Sequence, residues 1–120
     1  MSSTKHILTI LAVHDLQRAK SFYTSVFGWE INVDEPVYVQ YILPCGSMIG
    51  LYTRQGFSSN TNTTVEVLDG SGTTGTELYL HCEKLDDVVS ALHEHGGTLL
   101  APTQAKPWGD DVAYFADLDG

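Results

Sequence analysis

Glu77, Tyr79 and His81 stand at alternate positions and form the densest set of groups in this chain able to move a proton or grip an oxygen. On a strand all three share one face, with Leu78, Leu80 and Cys82 on the other. Glu77 or His81 could then act as general base on a carbon acid or an epimerisable centre, a tyrosine hydroxyl stabilising the oxyanion. The alternative is a solvent-facing polar edge whose apolar side packs on a helix. The other histidines offer less. His93 and His95 are two apart on a helix, roughly 200° around its axis, so they cannot share a metal from one face. His6 and His14 share strand parity but lie about 26 Å apart at full extension. His14, beside Asp15, reads as a turn residue.

Other motifs carry no chemistry. Gly70-Ser-Gly72-Thr-Thr-Gly75 satisfies GxGxxG, but a dinucleotide site needs that turn to open a helix, and a strand pattern follows. It reads as a flexible linker. Asn62-Thr63-Thr64 is a glycosylation triplet with no secretory context. There is no GxSxG. Cys45 and Cys82 have no CxxC spacing and are expected to be reduced and buried.

Charge and length exclude whole classes. Six Lys and Arg against fifteen Asp and Glu leave a formal charge of −9. Phosphate backbones are bound through basic clusters, and none exists here, so no nucleic acid and no anionic membrane partner is expected. No apolar run approaches the roughly 20 residues of a membrane helix. The opening Met1-Ser-Ser-Thr-Lys-His has no charged stretch leading into an apolar segment, which predicts a cytoplasmic protein. A chain of 120 residues suits one domain.

The elements that position these groups occur twice. His6 to Val13 is apolar throughout and rich in β-branched residues, a strand buried on both faces. Asp15 is placed to cap a helix. Leu16, Ala19, Phe22, Tyr23, Val26 and Phe27 trace one face of it, and Gly28 can end it in the left-handed conformation. Short strands are predicted over 29–33, 37–43 and 47–53, punctuated by Asp34-Glu-Pro36 and Pro44-Cys-Gly46. A strand over 76–82 follows. Next comes a helix with Leu85, Val88, Val89 and Leu92 on one face and Asp86 and Asp87 in its first turn, stopped by Gly96-Gly97. Strands over 98–101 and 112–116 complete the order.

An offset of 69 pairs Leu16 with Leu85, Ala19 with Val88, Phe22 with Ala91, Tyr23 with Leu92 and Gly28 with Gly97. Matching element order makes this an internal duplication of a βαβββ unit. Module one covers 5–54, module two 76–120, and the patternless stretch 55–75 between them is a linker, part of which could cover a pocket. The second module is one strand short, which predicts either that the gene product continues by a strand or that a partner chain covers the gap.

The segments Val13-His-Asp-Leu-Gln-Arg-Ala-Lys-Ser-Phe-Tyr-Thr-Ser-Val-Phe-Gly-Trp29, Leu85 to Gly97 and Tyr114-Phe-Ala-Asp-Leu-Asp-Gly120 resemble the glyoxalase/bleomycin-resistance/extradiol-dioxygenase group, the vicinal oxygen chelate superfamily. The resemblance covers nearly the whole chain outside the linker. It implies an α+β fold of two βαβββ modules whose mixed sheets curl into a cup, often completed by a homodimer. Metal-dependent members place one ligand on each of four strands, where a divalent ion polarises two neighbouring substrate oxygens.

Carried over, those ligand positions fall on Leu8, Gly50 and Glu77, the fourth lying four residues past Gly120. Leu8 and Gly50 have no donor atoms, and one carboxylate cannot build a tight divalent site. The expectation is therefore a cup without metal or cofactor, whose guest is a small molecule held by Leu8, Ile10, Met48, Gly50, Tyr52, Tyr79 and Trp108, the last folding over the rim from Pro107-Trp-Gly109. Bleomycin-resistance proteins, which sequester a drug unchanged, are the nearest analogy. The alternative is an isomerase or lyase, with or without metal, using Glu77 or His81.

Overall fold

The computed structural model describes residues 2–67 and 73–120. Residues 68–72 of the linker, including 70–72 of the GxGxxG match, lie outside the described residues. The elements run β1 (Leu8–Val13), α1 (Leu16–Phe27), β2 (Glu30–Glu35), β3 (Tyr38–Ile42), β4 (Met48–Thr53), α2 (Arg54–Thr61), α3 (Leu85–Glu94), β5 (Thr98–Ala105) and β6 (Asp111–Ala116). This is a mixed α+β fold. The chain divides into two compact units, residues 1–24 with 28–66, and residues 25–27 with 67–120. No described helix is long and apolar enough to cross a membrane.

Unit one carries the complete βαβββ order. Its sheet has the strand order β1-β4-β3-β2, with β1 parallel to β4 and the other pairs antiparallel. Residues of odd number on β1, β3 and β4 face helix α1. Val13, Val39, Tyr41, Ile49 and Leu51 are buried there with Leu16, Ala19, Phe22 and Tyr23 of the helix, the stripe that the 3.6-residue period predicts. The side chain of Asp15 caps α1 by accepting from the Arg18 amide at 3.1 Å. Gly28 closes it at φ 66°, donating its N–H to the Thr24 carbonyl.

Four expectations need correction. Part of the linker is helical: α2 spans Arg54–Thr61, capped by the Thr53 hydroxyl on the Gly56 amide and ended by Asn62 in the left-handed conformation. Cys45 is exposed rather than buried, because Pro44-Cys45-Gly46 forms the tip of the β3–β4 hairpin. Its Sγ lies 3.2 Å from the Ser47 hydroxyl, a contact that draws the thiol below its usual range. In α3 the left-handed residue is Gly96 (φ 97°), not Gly97, so the glycine match at offset 69 is one residue out of phase with the caps.

The fourth correction concerns residues 76–82, which form no strand. The alternation survives in burial only in part: Leu78 and Cys82 are half-buried, but Leu80 is exposed along with Glu77, Tyr79 and His81. What is missing is a ladder. At the matching place in unit one, β1 hydrogen-bonds to β4 alone. The counterpart of β4 would follow β6, and among the described residues no strand follows β6.

The elements that lie wholly within unit two, among the described residues, are α3 and the antiparallel pair β5–β6. β5 runs through to Ala105, four residues further than its apolar stretch suggests, with register shifts on either side of Ala101. Pro102 lacks an N–H and falls at that irregularity, where the ladder does not need one. The His93 ring meets the Phe115 ring edge-on at 5.0 Å, between α3 and β6.

Candidate functional site

On unit one, the sheet face turned away from α1 carries the even-numbered side chains of β1, β3 and β4, and beyond the bulge in β2 it carries Glu35, which pairs with Tyr38. The register sets Leu8 opposite Met48, Ile10 opposite Gly50 and Ala12 opposite Tyr52. On the other flank of β4, Tyr38, Gln40 and Ile42 stand opposite Tyr52, Gly50 and Met48. Five of the residues expected to hold a ligand, Leu8, Ile10, Met48, Gly50 and Tyr52, are thus brought together on two neighbouring strands. An open cleft of about 600 Å³ lies here, lined by Ile10, Glu35, Pro36, Val37, Tyr38 and Tyr52.

Tyr38 organises this face. Its ring lies directly over Gly50: a Cβ on Gly50 would run into the Tyr38 hydroxyl and meet its Cε1 and Cζ at 2.8 and 2.9 Å. The hydroxyl donates to Gln40 Oε1 at 2.6 Å. Gln40 Nε2 in turn donates to Asn32 Oδ1 at 3.3 Å and contacts the Met48 sulfur at 3.2 Å. The Tyr38 ring also meets Tyr52 in a T-shaped arrangement, with centroids 5.2 Å apart. Burial, and then the neighbouring Tyr52, push the Tyr38 hydroxyl above its ordinary pKa. The Tyr52 ring is accommodated in the same way by a glycine, since a Cβ on Gly56 of α2 would collide with it.

Tyr38, Gln40, Asn32, Glu35 and Gly56 were not among the expected site residues. Alternation along 37–43 does put Tyr38 and Gln40 on one face. Only the register of β3 on β4, a contact distant in sequence, lays Tyr38 across Gly50.

The remaining expected residues lie in unit two. Trp108 Nε1 donates to the Tyr79 oxygen at 2.8 Å, and the Tyr79 hydroxyl donates to Asp110 Oδ2 at 2.9 Å. Both rings remain more than half exposed, Tyr79 at 54% and Trp108 at 58%. The indole N–H favours the phenolate. Partial desolvation, the hydrogen bond to Asp110 and the charges of Asp110 and Tyr114 outweigh it, so Tyr79 is held above its usual pKa. Glu77 and His81 are exposed on the preceding segment.

The ligand positions that the resemblance implies do not fit a divalent cation. Leu8 and Gly50 offer no donor, and the space a side chain at position 50 would need is filled by the Tyr38 ring. Among the described residues, no group of three or more His, Cys, Asp or Glu side chains could hold a metal ion.

The glyoxalase-like domain family matches residues 6–120. No curated protein matches the chain significantly. Among solved structures, a glyoxalase-related enzyme from Fulvimarina pelagi is 26% identical, with a TM-score of 0.77 over 97% of this chain and 82% of that one. A glyoxalase/bleomycin resistance protein/dioxygenase from Nocardioides is 21% identical, with a TM-score of 0.77 over 99% and 80%. Lactoylglutathione lyase from Agrobacterium tumefaciens is 20% identical, with a TM-score of 0.66 over 99% and 89%. With the family matched over all but the first five residues, and these folds superposing on nearly its whole length, the chain belongs to the glyoxalase-like domain family of the vicinal oxygen chelate superfamily.

Proposed function

We propose that this protein binds a small molecule without a metal, on the cleft face of its four-stranded sheet, as a cytoplasmic homodimer. One observation carries the reading. At Gly50, where metal-dependent members of the superfamily place a ligand, the chain has no side chain and a tyrosine ring takes the volume. A guest at this face meets Ile10, Tyr38 and Tyr52, a mostly apolar wall with few polar groups, which is the usual make-up of a small-molecule pocket. Tyr79 and Trp108, pinned to each other, offer a second aromatic surface for the same purpose.

Calorimetric titration of aromatic metabolites and cationic glycopeptides in the presence of a chelator tests the reading. The expected result is saturable binding by at least one compound, unaffected by the chelator and weakened by Tyr52→Ala. Stoichiometric zinc, nickel, manganese or iron surviving chelator dialysis would overturn it.

The neighbours described as enzymes supply a second reading, an isomerase or lyase with Glu77 or His81 as general base. It predicts turnover that Glu77→Gln abolishes while ligand binding persists. Activity surviving both Glu77→Gln and His81→Ala would remove it.

A further inference from the structure

The polar groups of the cleft have a direction. Tyr38 has one hydroxyl proton, and Gln40 Oε1 takes it at 2.6 Å. The amide of Gln40 is fixed in that sense because its Nε2 end faces two acceptors, Asn32 Oδ1 and the Met48 sulfur. Toward anything else, the Tyr38 oxygen can therefore only accept. Glu35, the charged residue of the lining, is also an acceptor when ionised, and among the described residues no Lys, Arg or His lines the cleft. Tyr52 can serve in either role, so the choice falls to Tyr38 and Glu35. The walls add a shape. Tyr38 and Tyr52 stand at 65° to each other, and a flat ring laid against one face meets the other edge-on, the arrangement aromatic groups prefer.

From this we infer that the cleft selects a planar aromatic guest bearing hydrogen-bond donors, an aryl amine or amidine, and that Tyr38, seated over Gly50 and oriented by Gln40, is the residue that sets the preference. The inference rests on the cleft being the binding site. It goes further in stating which end of a hydrogen bond the guest must supply. Tyr38 touches the guest, while Gln40 acts through Tyr38 and is a positioning residue.

Two probes of nearly equal shape separate the possibilities: benzamidine, which donates, and benzoate, which accepts. Both are titrated against the full chain by nuclear magnetic resonance, which detects weak binding. Benzamidine is expected to move the Ile10, Val37 and Tyr52 resonances saturably, with an affinity roughly tenfold above that of benzoate, the difference a charge-assisted hydrogen bond supports. Tyr38→Phe removes the acceptor and brings the two affinities toward equality. Gln40→Leu releases the Tyr38 proton, so benzoate gains and benzamidine loses. Gln40→Glu keeps an acceptor opposite Tyr38 and keeps the preference for benzamidine, which separates the effect from a general disturbance of the sheet. Equal binding of the two probes, preference for benzoate, or a ratio unmoved by Gln40→Leu in a folded protein would overturn the inference. Silence toward both probes would overturn it too. The broader reading of the cleft falls separately, if compounds found by calorimetry bind Tyr52→Ala as well as the parent.

Discussion

The Tyr38 ring crosses Gly50 so closely that even a single methyl group on the glycine would meet its Cε1 and Cζ at 2.8 and 2.9 Å. Real Cβ contacts are never that short, so one of the two residues must yield. Gly50→Ala is expected to cost about 1–3 kcal/mol, the range for overpacking a well-filled site. Tyr38→Ala in the same chain removes the obstacle. The double variant should then be more stable than the sum of the single losses predicts, by about 1 kcal/mol or more. Urea unfolding of the four proteins measures this, and simple additivity would show that the two positions are not coupled.

Tyr41 predicts how the fold responds to alkali. Its hydroxyl donates to the Lys20 carbonyl at 3.0 Å and lies 2.9 Å from the Thr24 hydroxyl, tying β3 to α1. Burial raises its pKa above the ordinary 10.0, although the Thr24 hydrogen bond and the Lys20 charge pull the other way and Asp34 adds slightly to the rise. The folded chain therefore holds this proton to higher pH than the unfolded chain does. The stabilisation is whole below about pH 10 and drains away as pH climbs past it. Thermal midpoints should fall steeply above pH 10 in the parent and less steeply in Tyr41→Phe. At neutral pH the same variant should lose about 1 kcal/mol, the typical worth of a hydrogen bond.

Gly28 isolates a purely conformational contribution. It ends α1 at φ 66°, and a Cβ there would touch nothing within 4 Å. Gly28→Ala should therefore cost roughly 1–2 kcal/mol from the left-handed backbone alone. Gly28→Asn should cost less, because asparagine tolerates that region. Chemical denaturation of the two variants gives the comparison; equal losses would mean that the helix end relaxes to another conformation.

Local patterns in the sequence predicted much of this fold, and contacts made at a distance account for what they missed. The apolar period of 16–27, Asp15 before it and Gly28 after it specify α1 within a few neighbouring residues, and alternation marks β3 and β4. The α2 helix was hidden because Gly56, Ser58, Ser59 and Asn60 are weak helix formers. Its ends are specified instead by a Thr53 cap and a left-handed Asn62. Residues 76–82 carry a strand pattern, but a strand exists only beside another, and that pairing is not written in the segment. The candidate site was half visible. Parity selected Leu8, Ile10, Met48, Gly50 and Tyr52, yet the empty position at Gly50 acquires its meaning from Tyr38, which only the β3–β4 register brings there.

The network in unit two allows a test with opposite signs. Tyr79 accepts from Trp108 Nε1 and donates to Asp110 Oδ2, so one neighbour favours its phenolate and the other its neutral form. Trp108 is the largest single influence and lowers the pKa, while partial desolvation, the hydrogen bond to Asp110 and nearby charge together raise it further than Trp108 lowers it. Asp110→Asn removes the charge and weakens the hydrogen-bond acceptor, so Tyr79 should titrate at lower pH than in the parent. Trp108→Phe removes the donor to the phenolate, so Tyr79 should titrate at higher pH. Ultraviolet difference titration, with Tyr79→Phe subtracted to isolate this residue, reads both shifts. Both groups are exposed, so thermal stability should change little in either variant. Shifts in the same direction, or none, would mean that the three side chains do not hold each other in solution as they do in this structure.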